Sequence, residues 1–328
     1  MVNTETTSTL EQAIMRTLVY FDVFDFPLTT MELWRWLYLP GAREPVSFSN
    51  VESALRESEY VRSRIEFAQG YWCIRGRSHI VGIRQSHYRV SLKHYRKAQR
   101  FSRLLHYIPF VRMMAVCNKL GYWNNAPKSD IDLFFIVARG RLWLARLMIT
   151  VLAQLLGVRR HGAAIANRFC LSFYTTTDRL SIADIAKHPS DPYFTYWTAQ
   201  LFPLFGVGWH AQWHAANSWI KRFLPNVIQT TPHASPISYP HALKVQRMLE
   251  KLIDGMLGRV LESWSRVWQI RHIKSHLGSR LWDNSTDVIA NDTMLKFHET
   301  DKRDFFRKQF EERCKQVLSP MFEESRNG

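Results

Sequence analysis

Asp130 and Asp132 stand two residues apart at the head of the apolar run Ile131–Val137. Side chains alternate along a strand, so residues two apart share a face. The spacing therefore predicts two carboxylates projecting side by side from the start of a hydrophobic strand. Two such charges are costly together unless a cation lies between them. Carboxylate oxygens suit a hard divalent cation, and Mg²⁺ takes one or two of them together with substrate phosphates. The expected cofactor is Mg²⁺ or Mn²⁺, and the expected chemistry is phosphoryl or nucleotidyl transfer. A blander reading has Ser129-Asp130 ending a turn and Asp132 facing solvent on an edge strand. The unbroken apolar run behind the pair argues instead for a strand buried on both faces.

The elements that must position this pair are legible around it. Val111–Cys117 is a second short run rich in Val and Met, read as a strand. Between the two runs lie Gly121, Asn124, Asn125 and Pro127, which favour a turn. After Val137, Gly140 breaks the strand, Arg141–Gly157 reads as a helix returning across the sheet, and Phe169–Tyr174 reads as the next strand. The pattern is β-α-β. That last strand, FCLSFY, offers Cys170 and Ser172 as the polar members of one face and no carboxylate. Asp178 lies beyond its end, where it could reach the site from the loop but reads better as a helix N-cap.

In this setting Ser129-Asp130-Ile131-Asp132-Leu133 resembles the signature of the nucleotidyltransferase superfamily related to DNA polymerase beta. In that family a strand is followed by Gly-Ser and, further on, by Asp-x-Asp on the next strand. The likeness covers Val111 to about Tyr174, and Asn118-Lys119 or Lys119-Leu120 takes the Gly-Ser place. The resemblance implies Asp130 and Asp132 as catalytic metal ligands and Asn118, Lys119 and Ser129 as phosphate contacts. It implies an NTP as substrate and transfer of its NMP to a hydroxyl on an RNA end, a small molecule or a protein. In the family a later strand usually adds a third carboxylate. Its absence here keeps open a second implication, a catalytically degenerate nucleotidyltransferase fold that binds nucleic acid or regulates.

The expected fold class is α+β in three parts. Residues 1–78 carry helical spacing at Leu10–Phe24, a second helix capped by Thr29 or Thr30, and a third from Val51 to Ser58 after Ser49-Asn50. A hairpin follows, Val61–Phe67 with Tyr71–Arg75. The order resembles a winged helix. Its third helix is acidic, with Glu52, Glu57 and Glu59, which favours packing or protein contact over a DNA groove. The hairpin arginines Arg62, Arg64, Arg75 and Arg77 remain available to phosphates in this reading. Residues 79–180 form a small mixed sheet with flanking helices, preceded by a basic helix, Ser91–Tyr107. Its Lys93, Arg96, Lys97, Arg100 and Arg103 make either a solvated face or an electrostatic track for nucleic acid.

Residues 181–328 read as mostly helical and aromatic. Gln229–Pro240, with three prolines, is the best loop or linker, and Val288–Phe310 the closing amphipathic helix. Lys296, His298, Lys302 and Arg303 are its candidates for an acceptor cleft. His210 and His214 have the spacing of a metal pair, but flanking tryptophans favour packing. Arg271 and His276 share the Arg-x4-His spacing of small helical ribonucleases, a weak signal.

Composition sets the outer bounds. Lys and Arg exceed Asp and Glu by 44 to 28, a net charge of +16, which favours an anionic partner such as nucleotide or nucleic acid. Four dispersed cysteines without a CxxC pair are expected as buried thiols in a reducing cytoplasm. The amino-terminal residues lack the pattern of a secretory signal. Leu147–Val158 is too short to span a bilayer, so no membrane partner is expected.

Overall fold

The computed structural model describes residues 4–187, 191–228, 239–277, 286–297 and 301–318. The chain is α+β, built on a six-stranded mixed sheet. In chain order its strands are β3 (Val111–Val116), β4 (Ile131–Val137), β5 (Phe169–Thr176), β6 (Phe202–Phe205), β7 (Val288–Ala290) and β8 (Met294–Phe297). They lie in the order β6-β3-β4-β5-β8-β7. Only β4 and β5 run parallel, and the helix α7 (Leu142–Leu155) connects them.

The continuous apolar reading of β4 reflects burial on both faces. Ile131, Leu133, Phe135 and Val137 enter one core with α7 and with α5 (Ile80–Leu105). Phe134 and Ile136 enter the opposite core with Met113, Ala115, Phe173, Trp197 and Trp213. Asp132 shares the face of Phe134 and Ile136, at the end where that core stops.

Before the sheet come α1 (Thr4–Asp22), α2 (Thr30–Arg35), α3 (Phe48–Glu57), α4 (Glu59–Arg62) and a hairpin of β1 (Ile65–Ala68) and β2 (Tyr71–Ile74). The two-residue turn Gln69-Gly70 has positive φ at both positions, as tight hairpins need. Thr29 caps α2 through a reciprocal bond with Glu32, whereas α3 is capped by Ser47 rather than by Ser49 or Asn50. The remaining helices are α6 (Asn118–Gly121), α8 (Pro192–Ala199), α9 (Val207–Ala216), α10 (Pro240–Ile253), α11 (Met256–Leu277) and α12 (Arg303–Leu318).

Two expectations are corrected. The described residues after Leu180 are mostly helical, as expected, but β6, β7 and β8 add to the sheet at both its edges. In particular, Val288–Phe310 is not one closing helix: β8 pairs antiparallel with β5, and the helix begins only at Arg303. The basic helix is also longer than its cationic stretch, starting at Ile80. Most of the predicted linker, residues 229–238, lies outside the described residues.

Candidate active site

The turn after β3 begins at Asn118, which takes a left-handed backbone conformation, φ +53°, that a short polar side chain tolerates. This turns the chain into α6 and brings the Asn118 side chain to Asp132, to which it hydrogen bonds. The Asn118 side-chain Oδ1 also accepts from the Tyr193 hydroxyl at 3.4 Å. The polar turn that follows is fixed from outside. Asn125 donates to the Asp130 carbonyl at 3.1 Å and meets His94 Nδ1 of α5 at 2.9 Å. Asn124 donates to the Phe24 carbonyl at 3.0 Å and meets His87 Nδ1 at 2.8 Å. The two asparagines therefore pin the loop before β4 to both α5 and the end of α1.

In the parallel register of β4 and β5, Asp132 lies opposite Cys170. One carboxylate oxygen each of Asp130 and Asp132 and the Cys170 Sγ lie within 4.8 Å of one another, a spacing a single cation could bridge. Burial and the adjacent Asp130 carboxylate push Asp132 up to about 6, against the pull of hydrogen bonds from Asn118 and Cys170. Burial, then Asp132, pushes the Cys170 thiol up to about 12. The thiol is protonated near neutral pH and must lose its proton to ligate a metal. The two carboxylates suit a hard divalent cation, whereas a protonated thiol is a soft, poor third ligand for one.

A protein cation already answers part of this charge. Arg160 Nη1 lies 2.7 Å from Asp130 Oδ2 and 3.9 Å from Cys170 Sγ. Its backbone N–H donates to the Phe169 carbonyl at 2.9 Å, which anchors the loop beside β5.

The carboxylates open into a cleft of about 260 Å³. Asn118, Lys119, Ser129, Asp130 and Asp132 all line it, so the five residues that the resemblance implies for metal and phosphate contact are brought to one place. Lys302 adds a second lysine, and Tyr20, Phe21, Phe24, Phe26, Tyr122, Tyr193 and Phe306 form an aromatic wall. Gln200 also lines the cleft, and its Oε1 is buried without a hydrogen-bond partner.

Other candidates fall elsewhere. Asp178 is at the opposite end of β5, paired with Arg139 at 3.2 Å. Lys302 reaches the cleft; Lys296 and Arg303 are buried, pair with Asp301 at 2.9 and 2.8 Å, and line an adjoining cavity of about 150 Å³ that shares Asn118, Tyr193, Lys302 and Phe306 with it. His298 lies outside the described residues. His210 is buried against the Leu201 carbonyl at 2.9 Å and meets His214 at 3.1 Å, in keeping with packing. Arg271 is exposed, and the His276 side chain is outside the described residues. Three of the four hairpin arginines are committed internally: Arg64 to the Tyr60 carbonyl, Arg75 to the Ser63 carbonyl, and Arg77 to Asp22 and Asp25. On α5, Lys93, Arg96, Arg100 and Arg103 are exposed, whereas Lys97 is half-buried over the Phe169 ring.

Arg160, Cys170, Tyr193 and the amino-terminal aromatics were not predicted as site residues. Only the FCLSFY face carried a signal for one of them. Compared with known proteins, the chain matches no family model, and no curated protein or solved structure matches it.

Proposed function

We propose that this chain is a metal-dependent nucleotidyltransferase that moves an NMP from an NTP to a hydroxyl acceptor. The observation that carries the reading is the convergence of Asp130 and Asp132 with Asn118, Lys119 and Ser129 on one cleft. Asp130 and Asp132 would hold Mg²⁺ or Mn²⁺, with the protonated Cys170 thiol beside them and not among the ligands. When bound, the cation supplies charge neutralisation at the phosphates and at the departing pyrophosphate. The chain's own groups do the rest. Lys119 and Lys302 attract and steady the polyphosphate as point charges. Ser129 and Asn118 offer hydrogen-bond donors to its oxygens. The aromatic wall gives a flat ring a surface to stack on. Asn124 and Asn125 hold the loop, so the carboxylates are positioned before substrate arrives.

The test is transfer from α-labelled ATP, CTP, GTP and UTP with Mg²⁺ or Mn²⁺, using total RNA and cell extract as acceptors. Wild type is compared with the Asp130→Asn/Asp132→Asn double variant. Label transferred by wild type alone supports the enzyme and exposes its acceptor. No label above the variant, with both proteins folded, overturns it.

A second reading has one specific observation in its favour. Arg160 already neutralises Asp130, and the strand that would supply a third carboxylate supplies Cys170. On this reading the fold is catalytically degenerate and binds nucleic acid along the cationic face of α5, which carries no acidic residue. It predicts RNA or DNA binding that persists, or strengthens, in Asp130→Asn.

A further inference from the structure

Helix α11 is apolar on two sides. The face it turns into the protein packs Leu261, Ile270 and Ile273 on the core beside the buried Gly258, Ser265 and Gln269. Gln269 donates to the Trp143 carbonyl at 2.7 Å, and Glu262 accepts from the Trp143 and Leu144 amides at 2.9 Å. The face it turns outward is apolar as well. Met256, Val260, Trp264 and Val267, at helical spacing, line a shallow open groove along the helix. Met256 is 76% exposed, Trp264 58% and Val260 57%, and Trp268 stacks beside Trp264 at 6.5 Å. An exposed stripe of this length needs a partner.

Charge says which. Arg259 lines the groove and Arg271 lies one turn beyond Val267, both exposed, whereas Arg247 and Lys251 of the preceding α10 line a separate cleft with Arg112, Arg139 and Arg141. The carboxylates of the two helices are turned away from this role. Glu250 is taken by Arg112 at 2.7 Å, Asp254 by Arg141 at 2.9 Å, and Glu262 by the start of α7. Two copies meeting through the stripe would oppose like charges on a chain of net charge +16. Aliphatic side chains and tryptophan beside arginine suit the boundary between acyl chains and anionic headgroups. We infer that α11 is a peripheral docking surface for an anionic lipid bilayer, lying in the interface plane with Met256, Val260, Trp264 and Val267 inserted. This is contact with one leaflet: among the described residues no helix is long and apolar enough to cross a membrane. The inference is independent of the chemistry proposed for the cleft.

The experiment uses the full chain and sucrose-loaded vesicles of phosphatidylcholine alone or with 30% phosphatidylserine (a composition of about that order makes the surface strongly negative). Expected are co-sedimentation with the anionic vesicles, a blue shift of tryptophan emission, and weakening in high salt. Trp264→Ser/Trp268→Ser and Arg259→Gln/Arg271→Gln should each reduce partitioning by about tenfold or more, with unchanged circular dichroism and melting, because these side chains are exposed. Absence of binding to anionic vesicles overturns the inference, as does binding that neither variant weakens. So does a concentration-dependent dimer dissolved by Trp264→Ser/Trp268→Ser, which would assign the stripe to a second copy. Single-stranded RNA bound through the same residues in place of lipid would overturn it too.

Discussion

Asp132 is under two opposing demands. Burial and Asp130 raise its pKa from the ordinary 3.8 to about 6, so the folded chain holds this proton more tightly than the unfolded one. The stability this gives is fully present below about pH 4 and is lost as pH rises through 6. Asp132→Asn, neutral and nearly isosteric, should therefore raise the melting temperature at pH 7.5 without metal and change it little near pH 4. Equal shifts at both pH values would remove the electrostatic account. Saturating Mg²⁺ should reverse the order by stabilising only wild type, and its affinity should fall below pH 6, where Asp132 takes up its proton. Arg160 competes for the same charge. Its side chain is 46% exposed, so the pair with Asp130 is a modest one. Arg160→Ala should tighten Mg²⁺ binding roughly two- to fivefold by calorimetry; unchanged or weaker binding would mean the guanidinium does not oppose the cation. At this scale the sequence was informative where spacing alone fixes direction, as for Asp130 and Asp132. It was silent on Cys170 opposite Asp132 and on Arg160, because inter-strand register and loop course depend on partners far along the chain.

Elements show the same division. The runs at Val111–Val116, Ile131–Val137 and Phe169–Thr176 were readable because buried strands are short, apolar and β-branched or aromatic. β6 was hidden by Pro203, which reads as punctuation although an edge strand accommodates it. β8 was hidden by the charges that follow its four residues. Gly206 at φ +80° ends β6 where a Cβ would come 2.3 Å from the Arg112 carbonyl, a constraint seen only in three dimensions. The start of α7 is another tertiary feature. Arg141 provides no side-chain cap, and Glu262 of α11 accepts from the first free amides instead. Burial raises the Glu262 pKa despite those bonds. Glu262→Ala should cost roughly 1–3 kcal/mol in urea unfolding, the cost of leaving buried donors unpaired. A loss within error of zero would show that water or Arg141 replaces it.

Across the whole molecule, the cleft is assembled from distant parts of the chain. Phe24 follows α1, Tyr193 is on α8 and Phe306 on α12; the Phe24 and Phe306 rings are 4.9 Å apart, and Tyr193 stacks on Phe306 at 5.2 Å. The amino-terminal helices do not keep a core to themselves. Ile14, Leu18, Phe21 and Leu37 share one cluster with Tyr196, Ile220, Phe310 and Val317. Asp22 rivets this arrangement: buried at the end of α1, it meets Arg77 after the hairpin and Arg313 of α12, each at 3.0 Å. Removing its charge leaves Arg77 with Asp25 alone and takes the carboxylate from Arg313, both partly exposed, so Asp22→Asn should cost about 1–3 kcal/mol. If the core is continuous, the loss must appear in one transition. Tryptophan fluorescence, dominated by the sheet and its helices, and far-ultraviolet circular dichroism should shift to lower urea together. Arg77→Ala combined with Arg313→Ala should cost more than the sum of the two, since either guanidinium alone still answers the buried carboxylate and only the double variant leaves it uncompensated. A separate early transition of the amino-terminal helices in Asp22→Asn would instead make them an autonomous unit, and the aromatic wall of the cleft a contact between two independently folding parts.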